Sequence, residues 1–486
     1  MPDSRAIPLE ARRDGSALPL VAVGAVVVLV VAASVVADPL IGALALFGLI
    51  GALVISSRPA YAVTLLLGSF LVTYPWWLQG RGSLTLNNVL GAWLAVLMVY
   101  RIYRSGDWSF ARNRELQLMT AIAFVFLLSR FLYRPDAHTM ELVQGLSEDD
   151  QDPARVIVNR LAFLIFFVYF IRTPAQIRMV FLLAVGLMVL SGFAGVWRVL
   201  SGGGFAGYRA NYGVFIWAAG NPNRLALMCT IGICALWYLG QWLRRWWVTI
   251  PVIGGIAVLM LAIFMTGSRS GVLALAGTIG LLFLDGGLSP RRIVAGVLTG
   301  LLATMLIVSV APQKSLERIT NLPGTEGTEL GSGSIARRSY TASLALEVAE
   351  QNLLLGVGIG NWEINRYLSD PVHTVTPPHS SVLMALAEGG LVTLALYVLV
   401  LVRTLRNFLD TATVLTGPQH ASSMQWIART LRTSFMVFLA MSLVGDLWLN
   451  IIFYWYVGLG VVVARVVFEE VPAEEAHGAM LVEATA

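Results

Sequence analysis

Apolar residues run through this chain in long unbroken blocks, separated by short polar stretches rich in arginine. A helix needs about 20 mostly apolar residues to cross the hydrocarbon of a bilayer. Blocks of that kind predict helices at 18–37, 39–56, 60–78, 86–103, 116–133, 156–171, 178–199, 224–243, 247–266, 271–286, 293–311, 380–402, 430–446 and 448–467. Three of these, 60–78, 156–171 and 430–446, are short, so the expectation is twelve to fourteen spans. The first block follows Arg5, Arg12 and Arg13, as in a signal peptide, but it is long enough to span. Asp38-Pro39 then leads directly into a second block, and the first is read as an uncleaved span.

Two polar segments break the series. Residues 134–155 are acidic. Residues 312–379 form a connection of a length that is uncommon without a task of its own. Inside it, Ser332 or Ser334 is placed to cap a helix running to about Gln351. Ile335, Ala342, Leu344, Ala345, Val348 and Ala349 recur there at roughly helical spacing among charged residues, which predicts an amphipathic helix lying on the membrane or on the bundle. A turn follows at Gly356-Val357-Gly358-Ile359-Gly360, then a short helical stretch from Asn361 to Leu368. The expected organisation is a cytoplasmic tail (1–17), eleven spans (18–311), an external loop (312–379), three spans (380–467) and a second cytoplasmic tail (468–486).

Composition narrows the class. Hydrophobic residues make up 57% of the 486 and charged residues 13%, against about 25% charged in a typical soluble domain. A soluble enzyme, a disordered chain and a disulfide-stapled domain are excluded, which leaves an all-α integral membrane protein. Cys229 and Cys234 sit inside one apolar block and form neither a CxxC pair nor a disulfide framework.

The net charge is +5, and Lys314 is the one lysine among 33 basic residues. The charges lie between the apolar blocks rather than in a patch, so they read as membrane topology and not as a nucleic-acid surface. With the N-terminus in the cytoplasm, Arg101, Arg104, Arg172, Arg244, Arg245, Arg403, Arg429, Arg432 and Arg465 fall inside. The acidic run Glu148-Asp149-Asp150 falls outside.

Some arginines break the topology rule. Arg198, Arg209, Arg224, Arg269, Arg337 and Arg338 fall on or near the outer face. Snorkelling or ion pairing accounts for such residues, and so does a site for an anion delivered from the outer leaflet, because guanidinium forks suit phosphate. Thr266-Gly267-Ser268-Arg269-Ser270-Gly271 joins two spans, either as a plain hairpin or as an anion site at a helix start. Pro377-Pro378-His379-Ser380-Ser381 opens a long span, with His379 expected in its first turn, where the helix dipole favours a neutral imidazole suited to general-base work. Glu388 lies inside that span, and Asp446 near the end of another. Each needs a partner there. The GVGIG stretch reads as a turn, with neither the strand nor the lysine of a nucleotide loop, and no HExxH or His/Cys cluster suggests a metal.

Together these pieces resemble the O-antigen ligase/polymerase superfamily. The TGSRSG turn is similar to the family's Ser-Arg-Gly turn. Arg338 followed by LLLGVGIGNW resembles its Arg…Pro-Leu-Leu-Gly-x-Gly-x-Gly-Asn-Phe run, with Asn352-Leu353 where the family often has Pro and Ala342 where it often has Trp. His379-Ser380…Glu388-Gly389 resembles His-Asn…Glu-x-Gly, with Ser380 in place of Asn, and Gly220-Asn221-Pro222-Asn223 resembles the Gly-Asn-Pro-Asn that opens a mid-chain span. The match covers roughly residues 205–400.

The resemblance implies a glycosyltransferase C-type helical bundle in the bacterial inner membrane, with its site facing the periplasm. It implies transfer of a glycan from a polyprenyl-pyrophosphate donor to an acceptor hydroxyl on a lipid, glycan or protein, without metal or other cofactor. Arg269 and Arg338 would hold the pyrophosphate, assisted by Arg337, Arg224 and Arg209, with Glu388 near the substrate. His379 would take the acceptor proton or orient the acceptor during in-line attack with inversion. A polymerase of the same superfamily remains an alternative, and a lipid-linked glycan flippase a more distant one.

Overall fold

The structure is a computed structural model, and it describes residues 56–71, 86–133, 152–202, 222–243, 245–286, 305, 309–320, 329–362, 364–365, 378–415 and 424–485. The expected spans at 18–37, 39–56 and 293–311 lie wholly or almost wholly outside these residues, as does most of the acidic segment 134–155. The chain divides into two compact units, residues 1–62 and 63–486. Of the first, only residues 56–62 are described.

In chain order the helices are α1 (Pro59–Leu71), α2 (Leu86–Ser105), α3 (Arg114–Leu132), α4 (Pro153–Phe170), α5 (Pro174–Leu200), α6 (Pro222–Leu243) and α7 (Trp246–Met265). They continue as α8 (Arg269–Gly286), α9 (Gln313–Thr320), α10 (Glu329–Gln351), α11 (Ser381–Leu415), α12 (Gln425–Leu443) and α13 (Ile451–Thr485). There is no strand among the described residues. Among the described residues, seven helices, α3 to α7, α11 and the first half of α13, are long and apolar enough to cross a membrane. The protein is an all-α, multi-pass integral membrane protein.

Several helices begin a few residues before their apolar blocks, because prolines occupy the first helical position, where no amide is needed. Pro153 follows Asp152, whose carboxylate accepts from Ala154 N, and Pro174 follows Thr173, which forms a reciprocal cap with Gln176. At the other limit, α11 runs past its predicted end at 402 to Leu415. Arg403, expected in a loop, lies within it, donating to Glu115 of α3 at 3.1 Å, and Asn407 donates to the same oxygen at 3.2 Å. The predicted span at 448–467 likewise begins at Ile451 and continues as one helix to Thr485.

The first half of α13 is the central element. It packs against α4, α5, α11 and α12, and Phe453, Tyr454, Trp455 and Tyr456 are buried in succession. Trp455 stacks on Phe181 of α5, and Tyr456 meets Phe408 of α11 and Phe435 of α12. Outer helices turn large apolar side chains outward instead: Val96, Phe124, Phe131, Ile250, Ile253 and Leu273 are all exposed. Such a surface is at home against lipid chains, not water.

Buried polar contacts fix how the ends are arranged. Asp285, in the last turn of α8, accepts from Tyr238 of α6 at 2.8 Å, from Arg429 Nε of α12 at 3.0 Å, and from Arg432. Arg465 of α13 donates to the Val168 and Ile171 carbonyls at the end of α4. These contacts, with Arg403–Glu115, lie at one end of the bundle. At the other end α6 and α8 begin side by side, and the start of α11 meets the end of α12, where Ser381 N donates to the Gly445 carbonyl at 3.1 Å.

Candidate functional site

The site is built at that second end, from the turn between α7 and α8. Gly267 takes a left-handed φ of 58°, which reverses the chain. The Thr266 hydroxyl donates to the Ile263 carbonyl at 2.5 Å and accepts from Ser268 N at 3.1 Å. The Ser268 hydroxyl donates to Asn223 Oδ1 of α6 at 2.6 Å and accepts from Gly271 N at 3.0 Å. A Cβ on Gly271 would stand 2.5 Å from the Ala226 Cβ. The TGSRSG turn is therefore not a loose hairpin. It is stitched into the start of α6, and its buried threonine and serines hold Arg269 at the first position of α8.

Arg269 Nε donates to the Arg318 main-chain carbonyl at 3.0 Å. Arg318 belongs to α9, a short helix docked by Ser315, which is fully buried and donates to the Met265 carbonyl at 3.5 Å. Arg338, half-buried on α10, completes a group of three guanidinium side chains. Burial first, then the positive charges of Arg318 and Arg269, hold the Arg338 guanidinium below its usual range. Among the described residues, the charges that act on Arg338 are thus both cations.

The amphipathic helix expected from Ser332 or Ser334 begins earlier, at Glu329, and ends at Gln351 as expected. It lies on the bundle: Thr341, Leu344, Ala345, Val348 and Ala349 are buried, and α10 packs against α11. The chain then turns through Asn352–Gly360 and docks into a break in α11. Gly390 has φ 66° and ψ −169° inside that helix. The broken ladder is completed from outside. Val357 N and Gly358 N donate to the Ala387 and Glu388 carbonyls at 3.0 and 2.8 Å, and Leu391 N donates to the Leu353 carbonyl at 2.8 Å. Gly356 and Gly390 make this possible, because a Cβ on either would lie 2.4 or 2.3 Å from the opposing main chain. From α3, the Ser129 hydroxyl donates to the Leu355 carbonyl at 2.7 Å. The GVGIG stretch is a turn, and its work is to join α3, α10 and α11.

Glu388 belongs to this junction. It is 1% exposed, and its Oε1 accepts from Gly360 N at 2.8 Å. His379 lies two residues ahead of α11, not in its first turn, and it carries a left-handed φ of 50°, the sole non-glycine residue with positive φ among those described. Ser380 takes the position at the helix mouth instead, with its hydroxyl accepting from Leu383 N at 3.4 Å. The Ser381 hydroxyl donates to the Gly445 carbonyl at 2.9 Å and accepts from Leu447 N at 2.8 Å, which ties the base of His379 to the segment carrying Asp446.

Of the residues singled out in the sequence, Arg269 and Arg338 come together, and His379 shares their end of the bundle. Arg224, the third residue of α6, lies beside Arg160 of α4. Arg337 lies in α10, with its side chain outside the described residues, and Arg209 lies outside them altogether. Two arginines escaped sequence reasoning. Arg318 reads as part of a solvated charged turn beside Lys314 and Glu317, and only its contact with Arg269 gives it away. Arg160 did carry a signal, because an arginine inside an apolar block is costly in lipid. Among the described residues no three His, Cys, Asp or Glu side chains gather as a metal site would require.

Residues 254–398 match the O-antigen ligase family. The match runs from within α7 to within α11 and takes in Arg269, Arg318, Arg338, His379 and Glu388. It supports the O-antigen ligase/polymerase superfamily that the motifs pointed to, and with it a ligase or polymerase type of enzyme in general. No curated protein matches the chain.

Proposed function

We propose that the protein transfers a glycan from a polyprenyl-pyrophosphate donor to an acceptor hydroxyl, at the periplasmic face of a bacterial inner membrane. The observation that carries this reading is the trio of Arg269, Arg318 and Arg338, in which a half-buried guanidinium has cations as its charged neighbours. Such a group is costly when empty and is relieved by a multiply charged anion. Pyrophosphate is already a good leaving group, so its departure needs charge neutralisation more than an acid. The acceptor oxygen attacks the anomeric carbon, the bond from that carbon to the phosphate oxygen breaks, and polyprenyl pyrophosphate leaves against the arginines.

The acceptor proton passes to His379. His379 stands just ahead of the α11 N-terminus, as the imidazole that takes this proton. The helices α9 and α10, packed on the bundle, cover the reacting groups and favour transfer over hydrolysis. No step calls for a metal.

The test is a transfer assay with purified protein, a polyprenyl-pyrophosphate glycan and candidate acceptors, with and without EDTA. His379→Ala and Arg338→Ala are each expected to lose about 10²–10³-fold in rate, the usual effect of removing a group that stabilises developing charge. Transfer that survives both substitutions overturns the roles of His379 as base and Arg338 as pyrophosphate ligand, and loss of activity with EDTA overturns the metal-free mechanism. Movement of the glycolipid across the bilayer without a glycosyl product identifies a flippase instead.

A further inference from the structure

Arg160 lies two turns into α4 and is only 9% exposed. Its guanidinium sits over the Phe70 ring, 4.0 Å from the centroid. That contact satisfies a face of the planar group and leaves its edge alone. Nε and Nη1 are buried and have no hydrogen-bond partner among the described residues. The charge beside it is that of Arg224, another cation, with the Tyr454 side chain as the other neighbour. Buried donors left unmade are expensive, and a buried cation facing a second cation more so. The Phe70 contact alone does not offset such an arrangement.

The depth of Arg160 along its own helix is misleading. Arg224 is the third residue of α6, and Tyr454 the fourth of α13. Arg160 is therefore level with two helix starts, at the end of the bundle where α8 begins. Asn223, next to Arg224, accepts the Ser268 hydroxyl at 2.6 Å, and Ser268 precedes Arg269. Arg224 and Arg269 thus each directly follow one partner of a hydrogen bond between the starts of α6 and α8.

We propose that Arg160, together with Arg224, forms a second anion seat, in which the Nε and Nη1 donors of Arg160, on the two sides of its guanidinium, take oxygens of a phosphate group. A guanidinium carries five N–H donors in a fixed plane and stays charged, which suits it to phosphate. Identifying the ligand as the lipid-linked diphosphate rests on the function proposed above. Binding of inorganic pyrophosphate to the seat does not.

The experiment uses full-length protein in nanodiscs, with inorganic pyrophosphate as the probe and the unfolding temperature as the readout. Wild type, Arg160→Met, Arg160→Lys and Arg338→Met are compared in phosphatidylcholine and in phosphatidylglycerol discs. Pyrophosphate is expected to raise the unfolding temperature of wild type. Arg160→Met is expected to weaken that binding at least tenfold, about the loss of one charge-assisted hydrogen bond, while unfolding no earlier than wild type without ligand. Arg160→Lys keeps the charge, loses the fork and falls between.

If phosphatidylglycerol competes with pyrophosphate in wild type but not in Arg160→Met, the seat accepts a lipid phosphodiester. If it does not compete, the seat stands with free or diphosphate ligands alone. Earlier unfolding of Arg160→Met with unchanged pyrophosphate affinity overturns the seat and makes Arg160 a packing residue. Should Arg160→Met fail to fold, unchanged affinity in Arg160→Lys overturns it equally. Dependence on Arg160 without any glycosyl transfer leaves the seat standing and removes the proposed function. Transfer whose KM and pyrophosphate inhibition ignore both Arg160 variants does the reverse.

Discussion

Replacing Glu388 by alanine separates a structural fastener from a substrate contact. The carboxyl is 1% exposed and accepts Gly360 N at 2.8 Å, while the Glu388 main-chain carbonyl accepts Gly358 N at 2.8 Å. Alanine keeps the second bond and removes the first, which strands the Gly360 amide in the junction. An orphaned buried amide costs about 1–3 kcal/mol. Taking about 2 kcal/mol, at a factor of ten per ~1.4 kcal/mol, local opening of the turn becomes ~30-fold more frequent. Hydrogen exchange followed by mass spectrometry on the full-length protein reads this directly. Peptides covering residues 353–362 are expected to exchange ~30-fold faster in Glu388→Ala, with α12 and the first half of α13 unchanged. Glu388→Gln keeps an acceptor for Gly360 N, and it is expected to exchange and to transfer nearly as wild type does. The reasoning is refuted if Glu388→Ala exchanges like wild type across 353–362 and yet loses transfer, because the carboxyl would then act on substrate.

Three further substitutions probe other parts of the structure. Gly390→Ala places a Cβ 2.3 Å from the Leu354 main chain at a φ of 66°, and it is expected to abolish folded yield, whereas Gly277→Ala, with nothing within 4 Å, is expected to leave the unfolding temperature equal or higher. Arg338→Lys puts a group with a reference pKa of ~10.4 among the same influences that lower Arg338. Its cation is therefore lost as pH rises through a value below that reference, so transfer by the lysine variant is expected to fall relative to wild type between about pH 8 and 10, and parallel profiles would contradict the cation cluster. Asp285→Asn leaves Arg429 and Arg432 part-buried without their shared carboxylate, at a cost on the order of 3 kcal/mol. Because Asp285 lies at the opposite end of the bundle, thermal unfolding is expected to come earlier while the rate per folded molecule stays the same.

The seven membrane-capable helices among the described residues were legible in the sequence because a lipid-crossing helix must be apolar along its whole length. The residual errors lie where polar residues join a helix, as Asp152-Pro153 and Thr173-Pro174 do at the starts of α4 and α5, or where a charge is paired, as Arg403 is with Glu115. The site was legible only in part, because its logic is tertiary. Nothing local in the sequence told that Arg318 would lie against Arg269, or that His379 would adopt a left-handed backbone ahead of its helix. The glycines of GVGIG announced a turn, but their partner is the Glu388-Gly389-Gly390 break in a different helix, and only the folded chain joins the two.

Two kinds of residue therefore make this site, and they respond oppositely to mutation. The residues of the two junctions, Gly267, Ser268 and Gly271 on one side and Gly356, Glu388 and Gly390 on the other, are held by close main-chain approach and by hydrogen bonds. Changing them costs stability and, through misplacement of helix starts, activity as well. The arginines are the reverse: among the described residues Arg338 has cations as its charged neighbours and Arg160 has donors without acceptors, so neither adds to stability by itself. On the function proposed above, the close-packed junctions hold the cations together against their mutual repulsion, and an incoming anion would turn this repulsion into binding.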